Sequence, residues 1–266
     1  MASLLAVSRP PEPFEPPGLE IFEPPSLLEF TLFGVHFELD RVVLYMFLAA
    51  AVVSVLFVLA ARKSGLVPRG VRNFVEVIVD FIREQIVLPV IGREGLPWVP
   101  FLTAMFCFIL VGNVFEVIPG IQFPINSRMA LPALLAGMAY VIFNAVGFKA
   151  QGLGYLRNAL FPPGVPKAMY ILLTPIEFIS TFVVRPFTLS VRLLANMIAG
   201  HLILSIFFLG SVYLILSPPF GPIAGGAAFG LSVALVAFEL LVSVLQAYIF
   251  TILTAVYIGG AIHPEH

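Results

Sequence analysis

Two apolar runs near the C-terminal end, residues 169–216 and 222–262, constrain the fold of this chain more than any other feature. As straight α-helices they would be roughly 70 Å and 60 Å long, at about 1.5 Å per residue. The hydrocarbon core of a bilayer is only about 30 Å thick, so neither run can stand upright in it as one helix. Each run is therefore either two spans with a buried turn or one long, steeply tilted helix.

The composition of the two runs favours the second alternative. A buried turn would need polar turn residues near the middle, and the first run offers only Pro186 there and no loop composition. We predict two long, strongly tilted helices that form a hairpin, with kinks at Pro175 and Pro186 and an outside joint at residues 217–219.

Three further apolar stretches have the length of one membrane crossing: 42–61, 96–118 and 129–148. Between the first two, apolar residues recur at helical spacing among charged ones over residues 70–90. This pattern predicts an amphipathic helix on the cytoplasmic side, either at the membrane surface or packed against the bundle. The chain is 60% hydrophobic and 11% charged, outside the range of soluble proteins. The sequence therefore predicts an all-α polytopic membrane protein, with about five membrane-embedded helices in one membrane domain, 41–266.

The basic residues predict the orientation of the helices. Nine of the fourteen Lys and Arg residues lie in two loops, six within 62–93 and three within 149–167. By the positive-inside rule these loops are cytoplasmic. The N-terminus is then outside, where the acidic, proline-rich residues 1–40 form a mostly irregular tail, and the C-terminus is cytoplasmic.

Arg192 is a charge inside the first long run, with no acidic residue within a helical turn or two. An arginine in hydrocarbon costs at least a few kcal/mol, so it normally faces protein or water and has a partner. One hypothesis pairs it with a carboxylate elsewhere in this chain. The hypothesis we favour holds it ready for a carboxylate on another molecule.

A hairpin about Pro219 would bring residues equally far from that proline side by side. Arg192 then meets Gln246, and His201 meets Glu239 about 10–13 Å nearer the outside, from the helical rise per residue. The strongly polar residues of both helices thus fall mostly into two facing levels.

The helical phase of these residues indicates which way their side chains point. Glu239, Ser243 and Gln246 follow helical spacing and form a polar stripe on an otherwise apolar helix. His201 lies about half a turn around from the arginine's face, so it should point towards another helix. Glu116, near the outer end of the second crossing, is a candidate neighbour.

Histidine and carboxylates can exchange protons near neutral pH, as a proton relay requires. Glu116, His201 and Glu239 therefore predict an outer half-pathway that stops at Arg192. The alternative is that His201 and Glu239 form a buried structural pair. On the cytoplasmic side, Glu177 lies where a proton could leave inward.

Arg185 and Asn196 share the helical face of Arg192. Arg185 either snorkels to the cytoplasmic interface or supports Arg192. The candidate pathway residues other than Arg192 are Asn113, Glu116, Glu177, Arg185, Asn196, His201, Glu239, Ser243 and Gln246.

Three stretches together resemble the family of subunit a of the F-type ATP synthase. The first, residues 185–201, reads Arg-Pro-Phe-Thr-Leu-Ser-Val-Arg-Leu-Leu-Ala-Asn-Met-Ile-Ala-Gly-His. The second, residues 245–257, reads Leu-Gln-Ala-Tyr-Ile-Phe-Thr-Ile-Leu-Thr-Ala-Val-Tyr, and the third, residues 112–120, reads Gly-Asn-Val-Phe-Glu-Val-Ile-Pro-Gly. The resemblance extends over most of the chain from about Phe33 onward.

The resemblance implies the membrane stator of a rotary motor, which provides two proton half-channels and couples proton flow to ATP synthesis. The implied partners are a ring of small carboxylate-bearing subunits (subunit c), the peripheral-stalk subunit b, the rest of the ATP synthase and the lipid of a bacterial plasma (inner) membrane. Arg192 matches the family's essential arginine, which faces the ring carboxylate. Asn196 and Gln246 match positions near it, Glu116, His201 and Glu239 match the outer half-channel, and Glu177 resembles the acid of the inner one.

Two departures from the family pattern stand out. His201 and Glu239 occupy positions where relatives often carry the acid and the histidine the other way round, and Ala195 stands where glycine is common. The exchange keeps one acid and one base at the same level, which favours a retained relay.

Two other function classes compete with the stator. A self-contained ion transporter or channel is disfavoured because no paired internal repeats are visible, and a purely structural assembly subunit would tolerate changes at Arg192. No glycine-rich loop with Lys and Ser or Thr follows a strand, so we expect no nucleotide site and no enzyme activity of the chain alone. We expect no cofactor or metal, and the net charge of −1 does not suggest nucleic acid.

Overall fold

The computed structural model describes residues 14–22, 28–32, 35–62, 70–118, 121–152, 154–161, 166, 169–217 and 221–263. Within them, five helices are long and apolar enough to cross a membrane: Arg41–Ala61, Arg93–Val114, Ala130–Gln151, Tyr170–Ile215 and Gly221–Ile262. The predicted fold class, an all-α polytopic membrane protein whose last two helices are long, is confirmed. The tilt of these helices stays a prediction.

The elements follow one another in a simple order. A strand hairpin of β1 (Leu28–Leu32) and β2 (Val35–Leu39) precedes the helices. The helices are α1 (Arg41–Ala61), α2 (Val71–Phe81), α3 (Leu88–Val90), α4 (Val99–Val114), α5 (Ala130–Gln151), α6 (Gly154–Leu160), α7 (Tyr170–Ile179), α8 (Arg185–Ile215) and α9 (Gly221–Ile262). Two π-helical segments, Ile82–Val87 and Ser180–Val184, and two 3-10 segments, Leu19–Phe22 and Arg93–Trp98, complete the described elements.

The strand hairpin is regular structure that was not predicted within the proline-rich tail. β1 and β2 pair antiparallel, with Phe30 opposite Phe37 and Glu29 opposite Glu38. Both strands alternate apolar and polar residues, the period-two pattern of a half-buried strand. That local pattern prevails over the proline-rich composition of the tail as a whole. Residues 1–13, 23–27 and 33–34 of the predicted tail lie outside the described residues.

The ends of the shorter crossings differ from prediction by a few residues. The second crossing was expected to end at 118, but α4 ends at Val114 because the backbone then tightens into a turn. In that turn the backbone N–H of Glu116 donates to the backbone carbonyl of Asn113 at 3.2 Å, and the N–H of Val117 donates to the carbonyl of Val114 at 3.0 Å. The third crossing continues past 148 to Gln151, where Gly152 ends it at φ +59°. The short helix α6 that follows was not predicted.

The amphipathic helix predicted at 70–90 is present as α2, a π-helical segment and α3 in succession, and its cytoplasmic side stays a prediction. One face buries Val75, Ile82 and Ile86, and α2 packs against α1 and α4. On the exposed side Arg72 and Glu76 form an i,i+4 pair at 4.0 Å. The pattern of apolar residues at helical spacing thus identifies both the helix and the face that packs.

The two long runs form continuous helices and not pairs of spans. The departure from α geometry lies in the π-helical segment 180–184, between Pro175 and Pro186 and not at either proline. Proline has no N–H to donate within a helix, and a π segment is one way for the backbone to adjust to the missing hydrogen bond. α8 ends at Ile215 and α9 begins at Gly221, on either side of the predicted joint, of which 218 and 219 lie outside the described residues.

α8 and α9 pack against each other more extensively than any other two elements. Near the joint, Gly225 lies against Ile215 and Ser211, where a side chain would not fit. The core lies between α4, α5, α9 and the π-helical segment 82–87. It therefore encloses one face of α9 and leaves the opposite faces of both long helices at the surface.

Candidate functional site

The register of the long hairpin agrees with the one predicted. The rings of Phe208 and Phe229 lie 5.8 Å apart, and Gly200 lies against the carboxyl of Glu239. Both pairs are equally far from residue 219 to within one residue. By the same register, Arg192 and Gln246 lie at one level.

Gly200 makes room for Glu239 between the two long helices. A methyl group on Gly200 would overlap the Glu239 carboxyl. The acidic side chain of Glu239 is buried between helices and not exposed on the surface of this membrane-spanning helix. The sequence gives no signal for this role of Gly200, because the role depends on which residue of α9 faces it.

His201 pairs with Glu116, as its helical phase indicates. The imidazole Nδ1 lies 3.4 Å from Oε1 of Glu116, and the Glu116 side chain is fully buried. The turn after α4 brings this carboxyl to α8. Among the described residues Glu116 is the acid in contact with an imidazole nitrogen of His201, so a direct His201–Glu239 pair does not form there.

The polar stripe of α9 faces the protein interior. Glu239, Ser243, Gln246 and Phe250 are all buried, and α9 packs against α4, α5 and α8. The side-chain amide of Asn113 on α4 donates to the backbone carbonyl of Ser243 at 3.4 Å. The stripe predicted from spacing is thus a buried face between two spans.

Asn126 extends this buried network and was not predicted. Its amide donates to Oδ1 of Asn113 at 2.9 Å, and both side chains are fully buried. Asn126 belongs to the connection between α4 and α5, which folds inward so that Ile125 packs against Gly112. A lone asparagine in a loop gives no signal in the sequence that it will be buried.

The connection between α4 and α5 is also held from the N-terminal side. Arg128 forms a salt bridge with Asp40, whose Oδ1 accepts from the Val43 N–H at 3.0 Å and caps α1. Asp40 is buried and Arg128 is partly exposed. The pair therefore ties the start of α1 to the loop that carries Asn126.

Several buried polar atoms of this region have no hydrogen-bond partner within the described part of the chain. They are Oε2 of Glu116, Oδ1 of Asn126, Oγ of Ser127, Oγ of Ser243 and Nε2 of Gln246, while Oε1 of Glu116 has only the 3.4 Å contact with His201. Buried polar groups nearly always bond to protein or to ordered water. The region is thus chemically suited to hydration.

Arg192 points away from this network. It is exposed on α8, next to the fully buried Leu193, and none of the described residues forms an ion pair with it. Gln246, at the same level, is buried on the inner face of α9, and no hydrogen bond joins the two. The hypothesis of an internal carboxylate partner finds no support in the described residues.

The exposed face around Arg192 is lined by small side chains. Thr188, Ala195 and Ala199 are exposed and lie at helical spacing from the arginine, followed by Ile203. Small residues on a membrane helix allow the backbone of another helix to approach closely. Asn196, half-buried, borders this face.

Arg185 stacks on α9, which bears on the two roles considered for it. Its guanidinium lies 5.2 Å from the centre of the Tyr257 ring, within the range of a cation–π contact. Its side chain is half-buried, and its position relative to a membrane interface stays a prediction. Glu177 on α7 is half-buried and has no ion-pair partner in the described ranges.

A second polar cluster joins α5, α6 and the end of α9. The Tyr155 hydroxyl donates to Oδ1 of Asn144 at 3.2 Å, and the amide of Gln151 donates to the Ala261 carbonyl at 2.8 Å. Burial raises the pKa of the Tyr155 hydroxyl, so it remains a neutral donor. These bonds tie α6 to α5 and α5 to the end of α9, and the cluster was not predicted.

Comparison with known proteins identifies relatives over nearly the whole chain. The family model described as ATP synthase A chain matches residues 43–259. A protein of Frankia alni named ATP synthase subunit a is 45% identical over 258 residues, covering 96% of this chain and 89% of its own. Proteins of the same name from Parafrankia sp. and Rhodococcus erythropolis are 48% and 43% identical, over 94% and 95% of this chain and 84% and 92% of their own.

Proposed function

The chain belongs to the ATP synthase A chain family, as a membrane subunit of the F-type ATP synthase, and we propose that it carries two proton half-channels beside a rotating ring of small subunits. It is a membrane protein, and its partners are the other subunits of that complex. The ring, subunit c, is the proposed partner at the Arg192 face. Subunit b of the peripheral stalk is the proposed partner elsewhere.

One observation carries this proposal: Arg192 is exposed on a membrane-spanning helix without an internal carboxylate. A free guanidinium in hydrocarbon is costly, so a counter-charge on a neighbouring molecule is expected there. The small side chains of Thr188, Ala195 and Ala199 support close approach of a helix that bears such a carboxylate. A self-contained transporter would not need this arrangement.

The outer half-channel is proposed to consist of Glu116, His201 and Glu239, with Asn113 and Ser243 beside them. The His201–Glu116 contact of 3.4 Å and the contact of Gly200 with Glu239 support a chain of titratable groups across α4, α8 and α9. Gln246 extends it along α9 towards the level of Arg192. The polar atoms without protein partners support a hydrated route.

The inner half-channel is proposed to open at Glu177, with Asn196 at the edge of the Arg192 face. Arg185 is proposed to hold α8 against α9 through Tyr257, and so to support the position of Arg192 two turns away. The basic loops support an orientation with the N-terminus outside and the C-terminus in the cytoplasm of a bacterial cell.

Electrostatics gives the proposed mechanism its direction. A ring carboxylate can enter lipid only when it is neutral, because a bare charge there is costly. A proton delivered by the outer half-channel neutralises the carboxylate and lets the ring turn. When the carboxylate returns beside Arg192, the positive charge favours the ionised form, and the proton leaves by the inner half-channel. A potential of 100 mV supplies about 2.3 kcal/mol per proton.

The test is Arg192→Ala, assayed for ATP-driven proton pumping in membrane vesicles. We expect pumping to be abolished while the complex still assembles, because the ring carboxylate loses its counter-charge. Arg157→Ala is the matched control, since Arg157 is exposed on α6 outside the spans. Coupled pumping that survives in the Arg192 variant would rule out the proposed role.

A further inference from the structure

The N-terminal segment 14–22 lies along the outer half of α8. The ring of Phe14 is 5.6 Å from that of Tyr213, and the ring of Phe22 is 5.5 Å from that of His201. The two contacts are about 18 Å apart along α8, from the helical rise per residue. The segment therefore runs antiparallel to α8 and ends over the proposed outer half-channel.

Phe22 is the buried anchor of this segment. It is only 5% exposed, whereas Glu15 and Glu20 of the same segment are exposed. The acidic residues of this segment are exposed and its phenylalanine is buried, so one side of the segment packs against the rest of the protein. At the C-terminal end of the segment, the packed side contacts His201 through Phe22.

His201 lies between Phe22 and Glu116. One side of the imidazole meets the phenyl ring, and Nδ1 lies 3.4 Å from the fully buried carboxyl of Glu116. The other acid near this level is Glu239 on α9, which lies against Gly200. The histidine side chain is 15% exposed, and the Phe22 ring lies against it on the side of the N-terminal segment.

We propose that Phe22 is a positioning residue of the outer half-channel: it holds the His201 ring against Glu116 and screens that pair from outside water. The proposal rests on the proposed function, since it concerns the same pathway. An apolar cover strengthens an electrostatic contact beneath it, because water no longer competes. Protons then reach His201 along the polar groups of α4 and α9 and not directly through the segment.

Solvent access beside His201 gives a test that does not depend on activity. Ser205 lies one turn beyond His201 on the same helical face, so a cysteine there reports on the space under the segment. The assembled complex carries Ser205→Cys and Cys107→Ala, which removes the chain's single native thiol. A membrane-impermeant methanethiosulfonate reagent is applied to the outer surface and the labelling rate is measured.

We expect Phe22→Ala to raise the labelling rate roughly tenfold, equivalent to about 1.4 kcal/mol. Phe22→Leu should stay near the parent rate, since it keeps an apolar cover. Phe14→Ala is the matched control, because Phe14 belongs to the same segment but contacts Tyr213. An unchanged rate in Phe22→Ala, or an equal increase in Phe14→Ala, overturns the proposal.

ATP-driven proton pumping in the same vesicles separates this proposal from the proposed function. We expect Phe22→Ala to slow pumping and Phe22→Leu to restore it. If Arg192→Ala stops pumping while Phe22→Ala changes neither labelling nor pumping, the role of Phe22 fails and the stator function stands. If Arg192→Ala still pumps, the stator function fails whatever the labelling rates are.

Discussion

Gly200→Ala should disturb proton transfer more than it disturbs folding. A methyl group at residue 200 would overlap the carboxyl of Glu239, which is the far end of a flexible side chain. The carboxyl can swing aside, so the helices need not separate. It then leaves the level of His201, where the proposed relay needs it.

Gly210→Ala supplies a matched control on the same helix. A methyl group at residue 210 would meet only Phe14 Cζ, at an ordinary 3.8 Å. Both substitutions gain about 1 kcal/mol of helix propensity, so this gain cancels in the comparison. Overpacking at a buried site costs about 1–3 kcal/mol, and this cost applies to residue 200 alone.

If that cost is expressed in proton transfer, Gly200→Ala should pump more slowly than Gly210→Ala by about tenfold for each 1.4 kcal/mol. The measurement is the rate of ATP-driven proton pumping in vesicles with equal amounts of assembled complex. Adding Glu239→Asp, which shortens the side chain by one methylene, should recover part of the rate. Equal rates in the two alanine variants would refute the close packing of Glu239 on Gly200.

Two further predictions concern the connection between α4 and α5. Asn126→Ala should slow proton pumping and lower the thermal stability of the complex. It leaves a fully buried Asn113 oxygen without its hydrogen bond, at a cost of about 1–3 kcal/mol. An unchanged melting temperature would contradict the hydrogen bond between the two asparagines. Arg128→Ala should lower the melting temperature more than Arg72→Ala does. The first removes the ion-pair partner of the buried Asp40 and leaves it only the hydrogen bond from Val43, whereas the second breaks an exposed pair worth about 0.3–0.5 kcal/mol; equal shifts would contradict this difference.

Features that depend on length and spacing were predictable from the sequence. The long helices follow from apolar runs that exceed the thickness of a bilayer, and their register follows from distance along the chain to the joint. The polar stripe of Glu239, Ser243 and Gln246 and the direction of His201 follow from helical phase alone. These features need no knowledge of which other segment packs nearby.

Features that depend on contacts between distant segments were not predictable. Asn126 is polar and lies in a loop, and only its bond to Asn113 shows that the loop folds inward. Gly200 resembles other glycines of the long helices until Glu239 is placed against it. Phe22 lies in a proline-rich stretch whose composition indicates a solvated tail, yet its ring is buried on His201.

Disulfide crosslinking tests most directly whether the Arg192 face meets the ring. A cysteine replaces Ala195, which is exposed one turn from Arg192, and a second cysteine lies beside the carboxylate of the ring subunit, with Cys107→Ala removing the native thiol. Val55→Cys on α1, 55% exposed and within a span, is the control. We predict an oxidant-dependent crosslink from residue 195 and none from residue 55. If residue 195 gives no crosslink, or if residues 195 and 55 give equal yields, the ring does not carry a counter-charge past Arg192 and the account is contradicted.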